Sequence, residues 1–240
     1  LSRETREEVV ATPYGEVVVE LQTIEDKEIV FLPRHGKKHT TPPHRINYRA
    51  NMWALKELGV KYIYATGAVG SCEEKFKPGQ VVLLTDFLDF TRSRPLTFYD
   101  EEVVHTSMVD PYCSNLRLIL KEEAVKEGLP LAGEGVYVCT EGPRFETAAE
   151  IRLYQQLGGH VVGMTNVPEV VLAKELKMCY AAVGIITNWC TGLGEEMDVA
   201  GILAAVDQNK EALTRLFIKI FTTRELSQKG CQCRQALMKL

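Results

Sequence analysis

The chain has 240 residues, of which 45% are apolar and 25% are charged, and its net charge at pH 7 is −4. These values are typical of a folded globular protein, and the negative charge argues against a nucleic-acid binder with a broad basic surface. No apolar run approaches the roughly 20 residues of a membrane-spanning helix, and no signal-peptide pattern opens the sequence. We therefore expect a cytoplasmic protein whose partners include neither membrane nor nucleic acid.

The first half of the chain predicts mostly strands. Two strands around a polar turn are expected in EVVVELQTIEDKEIVFLP, since β-branched residues dominate and partly alternate with polar ones. A helix is predicted from Ile46 to Leu58, where Gly59 ends it. Two further strands are predicted in KYIYATGAVGS, which ends in small residues, and in QVVLLTDFLDF.

The second half alternates between the two element types. Helices are predicted in SNLRLILKEEAVKEG (with a serine start), TAAEIRLYQQLG, PEVVLAKELK and the long amphipathic MDVAGILAAVDQNKEALTRLFIKIF, and strands in GEGVYVCT, HVVGMT and YAAVGIITN. Such alternation is typical of an α/β fold with a mostly parallel or mixed sheet. No linker or repeat interrupts the pattern, so a single domain over residues 1–240 is expected.

The seven cysteines bear on redox state and metal binding. An odd number without regular spacing favours a reduced chain over a disulfide scaffold. Cys231 and Cys233 form a Cys-Gln-Cys pair near the end, but zinc sites usually have wider spacing and a second pair of ligands. Because the remaining cysteines are scattered singly, we expect a free or redox-active pair here and no metal site.

Chemically distinctive residues follow the predicted strands, where α/β proteins bind their ligands. Arg34 and His35 offer donors, Gly67 and Ala68 allow close approach of the backbone, and Thr165 offers a hydroxyl group. Together these groups suit an anion of the size of phosphate.

Other residues at the strand ends suit a heterocycle. Phe145 and Met164 offer apolar surface for a ring, and Glu146 and Asn188 are able to hydrogen-bond its edge. An anion beside a recognised ring indicates a nucleoside or nucleotide site.

Each of these features also has a purely structural interpretation. An Arg-His pair in a turn is commonly solvated, GAVGS lacks the spacing of a dinucleotide or P-loop motif, and Asn188 could cap the next element. Phe145, Met164 and Trp189 taken singly are more typical of core packing. Only their combination at successive strand ends favours a site.

A longer set of motifs carries a family resemblance. In order from Thr12 to Gly192, the sequence contains TPYGE, LPRHG followed by His39, NYRANMWALKELG, TGAVGS, RPLTFYD, DPYC, EGPRFETAAEI, GMTNVPEVVLAKEL and YAAVGIITNW. These motifs resemble the methylthioadenosine phosphorylase branch of the purine nucleoside phosphorylase family. The resemblance implies an α/β fold whose central mixed sheet, flanked by helices, closes partly into a barrel. It also implies assembly as a homotrimer or homohexamer.

The resemblance assigns roles to individual residues. It implies catalytic roles for Asn188, Arg34 and His35. It implies phosphate binding by Arg34, His35, Gly67, Ala68 and Thr165, and nucleoside binding by Phe145, Glu146, Met164, Asn188, Trp189 and Cys190. Inorganic phosphate is the co-substrate, and the reaction needs no cofactor or metal. His105 is a candidate for the 5′ region of a neighbouring subunit's site.

Two segments depart from the family pattern. The family's first strand ends in a Gly-Gly-Thr/Ser loop that grips phosphate, and the opening LSRETREEVVATPYGE contains neither that strand nor that loop. Between FYD and VVH the sequence has only Glu101 and Glu102, fewer residues than the family usually has. We therefore expect these residues to belong to a longer protein.

The preferred base follows from two positions. Methylthioadenosine phosphorylases typically carry Asp-Tyr-Asp after the strand that here leads into Asn188, and they usually lack a glutamate at the place of Glu146. A 6-oxopurine donates its N1 proton, which a carboxylate accepts, and its O6 accepts from an amide. The resemblance and these residues together predict phosphorolysis of inosine or guanosine in purine salvage.

Three alternatives stay open. A methylthioadenosine or methylthioinosine phosphorylase would recognise its substrate by the 5′ substituent rather than by the base. A nucleosidase of the same fold would use water in place of phosphate. A nucleoside-binding protein without catalytic activity would not turn its ligand over.

Overall fold

The computed structural model describes residues 4–194 and 199–239 of the chain. Its strands are β1 (Glu4–Thr12), β2 (Gly15–Ile24), β3 (Lys27–Phe31), β4 (Tyr62–Ser71), β5 (Val81–Phe90), β6 (Val104–Thr106), β7 (Leu131–Thr140), β8 (Val161–Gly163), β9 (Cys179–Trp189) and β10 (Leu237–Lys239). Its α-helices are α1 (Tyr48–Glu57), α2 (Ser114–Lys126), α3 (Ala148–Gln156), α4 (Asn166–Glu175) and α5 (Val199–Thr223). Within the described ranges, no helix has the length and hydropathy needed to cross a membrane.

The first three strands form an antiparallel sheet in the order β1-β2-β3. Val17, Val19 and Leu21 alternate along β2 on the buried face and pack with Ala50 and Ala54 of α1. Strands β2 and β3 confirm the predicted pair. Strand β1 was missed because its sequence, ETREEVVAT, is rich in charges and lacks a clear alternation.

The centre of the molecule is a closed barrel of strands in the order β4-β8-β7-β5-β9. Strand β4 runs parallel to β9, and β7 runs parallel to both β5 and β8. The pairs β4–β8 and β5–β9 are antiparallel. The prediction of a mixed, partly barrel-like sheet flanked by helices is therefore confirmed.

Successive residues of the barrel strands enter two different cores. Val82 and Leu84 of β5 pack with the large cluster inside the barrel. Val81 and Leu83 point the other way and pack against residues of α2 and α5. Burial on both faces explains why these strands read as continuous apolar runs.

Strand β4 extends through the small residues that were expected to follow it. Gly67 pairs with Gly184 and Gly70 with Asn188, with an irregularity between Val69 and Gly70. Because Gly67 and Gly70 have no side chains, β4 exposes its backbone at these positions beside the end of β9. This arrangement brings several of the predicted site residues together.

Two other features differ from the sequence prediction. Helix α2 has Cys113, not Ser114, as its N-cap, and no side chain caps it. The short strands β6 and β10 pair with each other through Leu237 and Thr106, and neither was predicted.

Helix α3 starts with a capping box formed by Thr147 and Glu150.

Gly184 allows a test of packing inside the barrel. A Cβ atom at this position would lie 2.9 Å from Val69 Cγ2 and 3.0 Å from Val82 Cγ1. We expect Gly184→Ala to lower the free energy of unfolding by about 1–3 kcal/mol, as overpacking of a core does. Chemical denaturation of the variant measures this loss.

The matched variant is Val69→Ala/Gly184→Ala, which removes both Val69 methyl groups and leaves the Val82 contact. Its loss of stability should be smaller than the sum of the two single losses, because the clash with Val69 is relieved. Strictly additive losses would contradict this packing argument.

Candidate active site

Apart from His105, the predicted site residues all border one cavity of about 1780 Å³. The cavity extends from the loop after β3, past the ends of β4 and β9, to one face of α5. Its volume exceeds the roughly 300–1000 Å³ of a usual small-molecule pocket. There is room for more than one ligand, as a two-substrate reaction needs.

Arg34 lies at one end of the cavity, where its guanidinium group is held on three sides. Nε and Nη2 donate to the two carboxylate oxygens of Glu169 at 2.9 and 2.8 Å. Nη1 donates to the carbonyl oxygen of Thr66 at 2.7 Å. Because arginine has five N–H donors, two remain for a ligand.

Glu169 is the buried partner that the sequence analysis missed. It is 1% exposed, and the Tyr180 hydroxyl also donates to it at 2.5 Å. Burial alone would lower the pKa of Arg34, but the Glu169 carboxylate raises it above the ordinary value. Burial and this carboxylate raise the pKa of Tyr180. Arg34 is thus a cation and Tyr180 a neutral donor at neutral pH.

His35 is half-buried beside Arg34. Its Nδ1 lies 2.8 Å from the carbonyl oxygen of Thr41, and its ring stacks on that of His39 at 4.3 Å between centroids. Burial lowers the pKa of His35, and the neighbouring His39 and Arg34 lower it further, against the hydrogen bond to Thr41. A carbonyl only accepts, so neutral His35 keeps its proton on Nδ1 and turns Nε2 away from Thr41.

The backbone of β4 meets the start of α4 near this end. A Cβ atom at Gly67 would lie 3.5 Å from Thr165 Oγ1 and 3.6 Å from Asn166 Nδ2. Within the described chain, Asn166 Nδ2 is the buried side-chain atom without a hydrogen-bond partner. The Thr165 N–H is held by the Tyr137 hydroxyl at 3.1 Å. The backbone of Gly67, which no side chain covers, therefore lies close to the polar side chains of Thr165 and Asn166 at the start of α4.

Glu146 and Asn188 border another part of the cavity. The Thr140 hydroxyl donates to Glu146 Oε1 at 2.7 Å. The Thr187 hydroxyl donates to Asn188 Oδ1 at 2.7 Å, and Asn188 Nδ2 donates to the Trp189 carbonyl at 2.8 Å. One oxygen of Glu146 and both polar atoms of Asn188 are therefore held by hydrogen bonds, which fix the orientation of each side chain.

The remaining predicted residues differ in how they meet the cavity. Phe145 is 64% exposed at the rim, and Met164 lies against Gly142. Trp189 packs against Gly194, where a Cβ atom would lie 2.5 Å from the indole ring. Cys190 is buried, and its sulfur lies 3.3 Å from that of Cys72, so its thiol is turned toward Cys72.

Arg94 is a second buried residue that the sequence analysis missed. Its Nη1 donates to the carbonyl of Val167 at 2.6 Å and its Nη2 to that of Glu141 at 2.8 Å. Nη1 also donates to the Tyr48 hydroxyl at 3.1 Å. One guanidinium group therefore holds the backbone of the loop after β7 and of the start of α4.

Helix α5 forms a wall of the cavity with both apolar and polar side chains. Those that border it include Ile202, Leu203, Val206, Asp207, Lys210 and Thr214. The sequence predicts the amphipathic helix, but its periodicity does not reveal which residues will border a cavity rather than the core.

The cysteines contradict one premise of the sequence analysis. The second pair of ligands that Cys231 and Cys233 were thought to lack is present, since Cys113 and Cys179 lie beside them. All four sulfur atoms lie within 4.8 Å of one another. This cysteine cluster is separate from the cavity, whose lining residues include none of the four.

Several nucleoside phosphorylases are similar in sequence to this chain. It is 48% identical to the 6-oxopurine nucleoside phosphorylase of Pyrococcus furiosus over 97% of this chain and 91% of that protein. It is 47% identical to a probable S-methyl-5′-thioinosine phosphorylase of Methanothermobacter thermautotrophicus, over 94% of this chain and 79% of that protein. An S-methyl-5′-thioadenosine phosphorylase of Pyrococcus horikoshii is 44% identical over 95% and 89%.

Solved structures agree with this grouping. A methylthioadenosine phosphorylase from an Antarctic soil metagenomic library superposes with a TM-score of 0.87 and 32% identity, covering 98% of this chain and 84% of that one. The family model of the phosphorylase superfamily matches residues 3–222. The resemblance seen in the sequence is confirmed, and the chain belongs to the phosphorylase superfamily.

Proposed function

We propose that this protein is a 6-oxopurine nucleoside phosphorylase. It cleaves inosine or guanosine with inorganic phosphate and releases the free purine base and ribose 1-phosphate. The observation that carries the proposal is the arrangement of one continuous cavity. Arg34 and His35 border it together with a carboxylate, Glu146, and a carboxamide, Asn188.

The phosphate end works through directed donors. The Arg34–Glu169 pair is neutral as a whole, and His35 is neutral at pH 7, so net charge does little to attract the anion. The two free N–H groups of Arg34, the backbone at Gly67 and Ala68, and Thr165 supply hydrogen bonds instead. Donors held rigidly in a partly buried site bind an anion more strongly than solvated ones do.

The base end favours a 6-oxopurine. The Thr187 hydroxyl takes one of the two acceptor sites of Asn188 Oδ1. The Trp189 carbonyl takes one Nδ2 hydrogen, so the second Nδ2 hydrogen is a free donor. That donor suits the O6 and N7 acceptors of a 6-oxopurine, whereas the 6-amino group of adenine needs an acceptor. Glu146 in turn suits the N1 proton that adenine lacks.

The same groups account for the chemistry. Breaking the N-glycosidic bond builds positive charge on the sugar and negative charge on the departing purine. Phosphate held beside Arg34 stabilises the sugar cation and then bonds to its C1 carbon. Asn188, donating to the base, stabilises the developing negative charge, which strengthens that hydrogen bond in the transition state. Neither a covalent nucleophile nor a metal takes part.

We also propose that the enzyme is cytoplasmic, that inorganic phosphate is its co-substrate and that it uses no other cofactor. A homotrimer or homohexamer is the expected assembly. Support comes from the family resemblance and from the exposed position of His105 on β6, where it would be accessible to a neighbouring subunit.

The second candidate is an S-methyl-5′-thioinosine or S-methyl-5′-thioadenosine phosphorylase. Relatives with those names are 44–47% identical to this chain. The apolar residues Ile202, Leu203 and Val206 on the cavity wall offer surface for a methylthio group.

Turnover of inosine, guanosine, adenosine and methylthioadenosine separates the two candidate activities. With phosphate, we expect kcat/KM for inosine or guanosine to exceed that for adenosine about tenfold or more, because each mispaired hydrogen bond costs about 1–3 kcal/mol. Without phosphate, base release should stop. Release that continues indicates a nucleosidase. The second candidate is favoured if the best substrate is methylthioadenosine, or methylthioinosine assayed beside the other four.

Arg34→Ala tests the phosphate end. It removes charge-assisted hydrogen bonds worth about 1.5–3 kcal/mol, so the phosphate KM should rise about tenfold or more. Because it also strands the buried Glu169 carboxylate, the variant Arg34→Ala/Glu169→Gln should recover stability without recovering phosphate binding. Lys38→Ala is the control, since Lys38 is an exposed cation of the same loop. An unchanged phosphate KM in both Arg34 variants would refute this role.

Asn188→Asp tests the base end. An aspartate replaces the donor to O6 by an acceptor, so the preference for inosine over adenosine should flatten or reverse, a change of roughly ten- to a hundredfold. Glu146→Ala should reduce kcat/KM for guanosine more than for adenosine. Equal losses for all substrates would mean that Asn188 has only a structural role and that the 5′ region decides specificity.

A further inference from the structure

The cysteine cluster brings together four residues from three parts of the chain. Cys113 precedes α2, Cys179 is the first residue of β9, and Cys231 and Cys233 come from the segment between α5 and β10. All four are buried, at no more than 8% exposure. Their sulfur atoms lie within 4.8 Å of one another.

The spacing of these sulfur atoms matches that of a tetrahedral metal site. Four ligands at the usual Zn–S distance of about 2.3 Å stand about 3.8 Å apart along each edge of the tetrahedron. The Cys179 and Cys231 sulfurs are 3.7 Å apart. We propose that Cys113, Cys179, Cys231 and Cys233 bind one zinc ion in a closed structural site outside the cavity.

Two features beside the cluster suit thiolate ligands. Cys113 stands at the N-terminus of α2, where the helix dipole favours a negative charge on the sulfur. Gln228 Nε2 lies 3.7 Å from the Cys179 sulfur. Donors of this kind orient metal ligands and increase their affinity for the ion.

A buried cation stands near the same sulfurs. Lys174 is 1% exposed, and its Nζ donates to the carbonyl of Asp110 at 2.5 Å. Burial lowers the pKa of Lys174, and the neighbouring Cys233, Cys113 and Cys231 act against this lowering. Binding Zn²⁺ to four thiols forms four Zn–S bonds, releases four protons and leaves a net charge of −2 on the site. Lys174 offsets part of that charge.

The site would fasten the C-terminal segment to the barrel. Its ligands join the segment that carries β10 to the starts of α2 and β9, and β10 in turn pairs with β6. Since all four positions are filled by protein sulfurs, none is open to a substrate, as in structural zinc sites.

Elemental analysis of the purified protein tests the proposal. We expect about one zinc per chain, and addition of an organomercurial should release it as the thiols react. Cys231→Ser/Cys233→Ser should hold less than about a tenth as much metal, because two of the four ligands lose their sulfur. Cys72→Ser is the matched control, as Cys72 is also buried and beside another cysteine, and it should keep the full content.

A spectroscopic measurement on the wild-type chain covers the case in which the double variant does not fold. Co²⁺ added to metal-free protein should give the intense visible bands of tetrahedral cobalt and the ultraviolet bands of thiolate ligation. Two outcomes overturn the proposal. One is a metal-free protein whose intact mass is lower by the hydrogens lost in disulfide formation, and the other is a fully reduced protein that takes up neither zinc nor cobalt.

Discussion

The carboxylate of Glu169 connects the parts of the structure that form the proposed phosphate end of the cavity. It receives two hydrogen bonds from Arg34 and one from Tyr180, so it joins the loop after β3, helix α4 and strand β9. A buried charge is costly unless it is paired and fully hydrogen-bonded. Since both conditions are met only when these three elements dock together, Glu169 favours that single arrangement.

This pairing has a cost for anion binding and a benefit for positioning. Arg34 shares its charge with Glu169 and keeps only part of its donors for phosphate. In return, the guanidinium group is fixed before the ligand arrives, so less conformational entropy is lost on binding. The same balance holds at the proposed base end, where Thr140 donates to one oxygen of Glu146 and Thr187 donates to Asn188 Oδ1. At both ends, the side chains thus have fewer free hydrogen-bonding groups and are held in a fixed orientation.

The sequence predicts most of the barrel and the polar residues at its strand ends, because apolar runs and their boundaries are local patterns. It does not predict Glu169 or Arg94, since a charge inside an apolar helix or in a polar loop gives no local sign of a distant partner. The cysteine cluster was missed for the same reason. Cys113 and Cys179 are 66 residues apart in the sequence and meet only when α2 packs on β9. Patterns show which residues are buried, whereas pairings depend on how the elements pack.

Arg94 bonds to the carbonyl oxygens of the loop after β7 and of the start of α4, and carbonyl groups are the same in every residue type. These contacts of Arg94 with both loops therefore do not depend on the side chains that the loops carry. Substitutions at Phe145, Glu146 or Met164 alter ligand contacts and leave these backbone contacts in place. A backbone anchored in this way allows the substrate preference of this chain to change by substitution at the cavity without a change of fold.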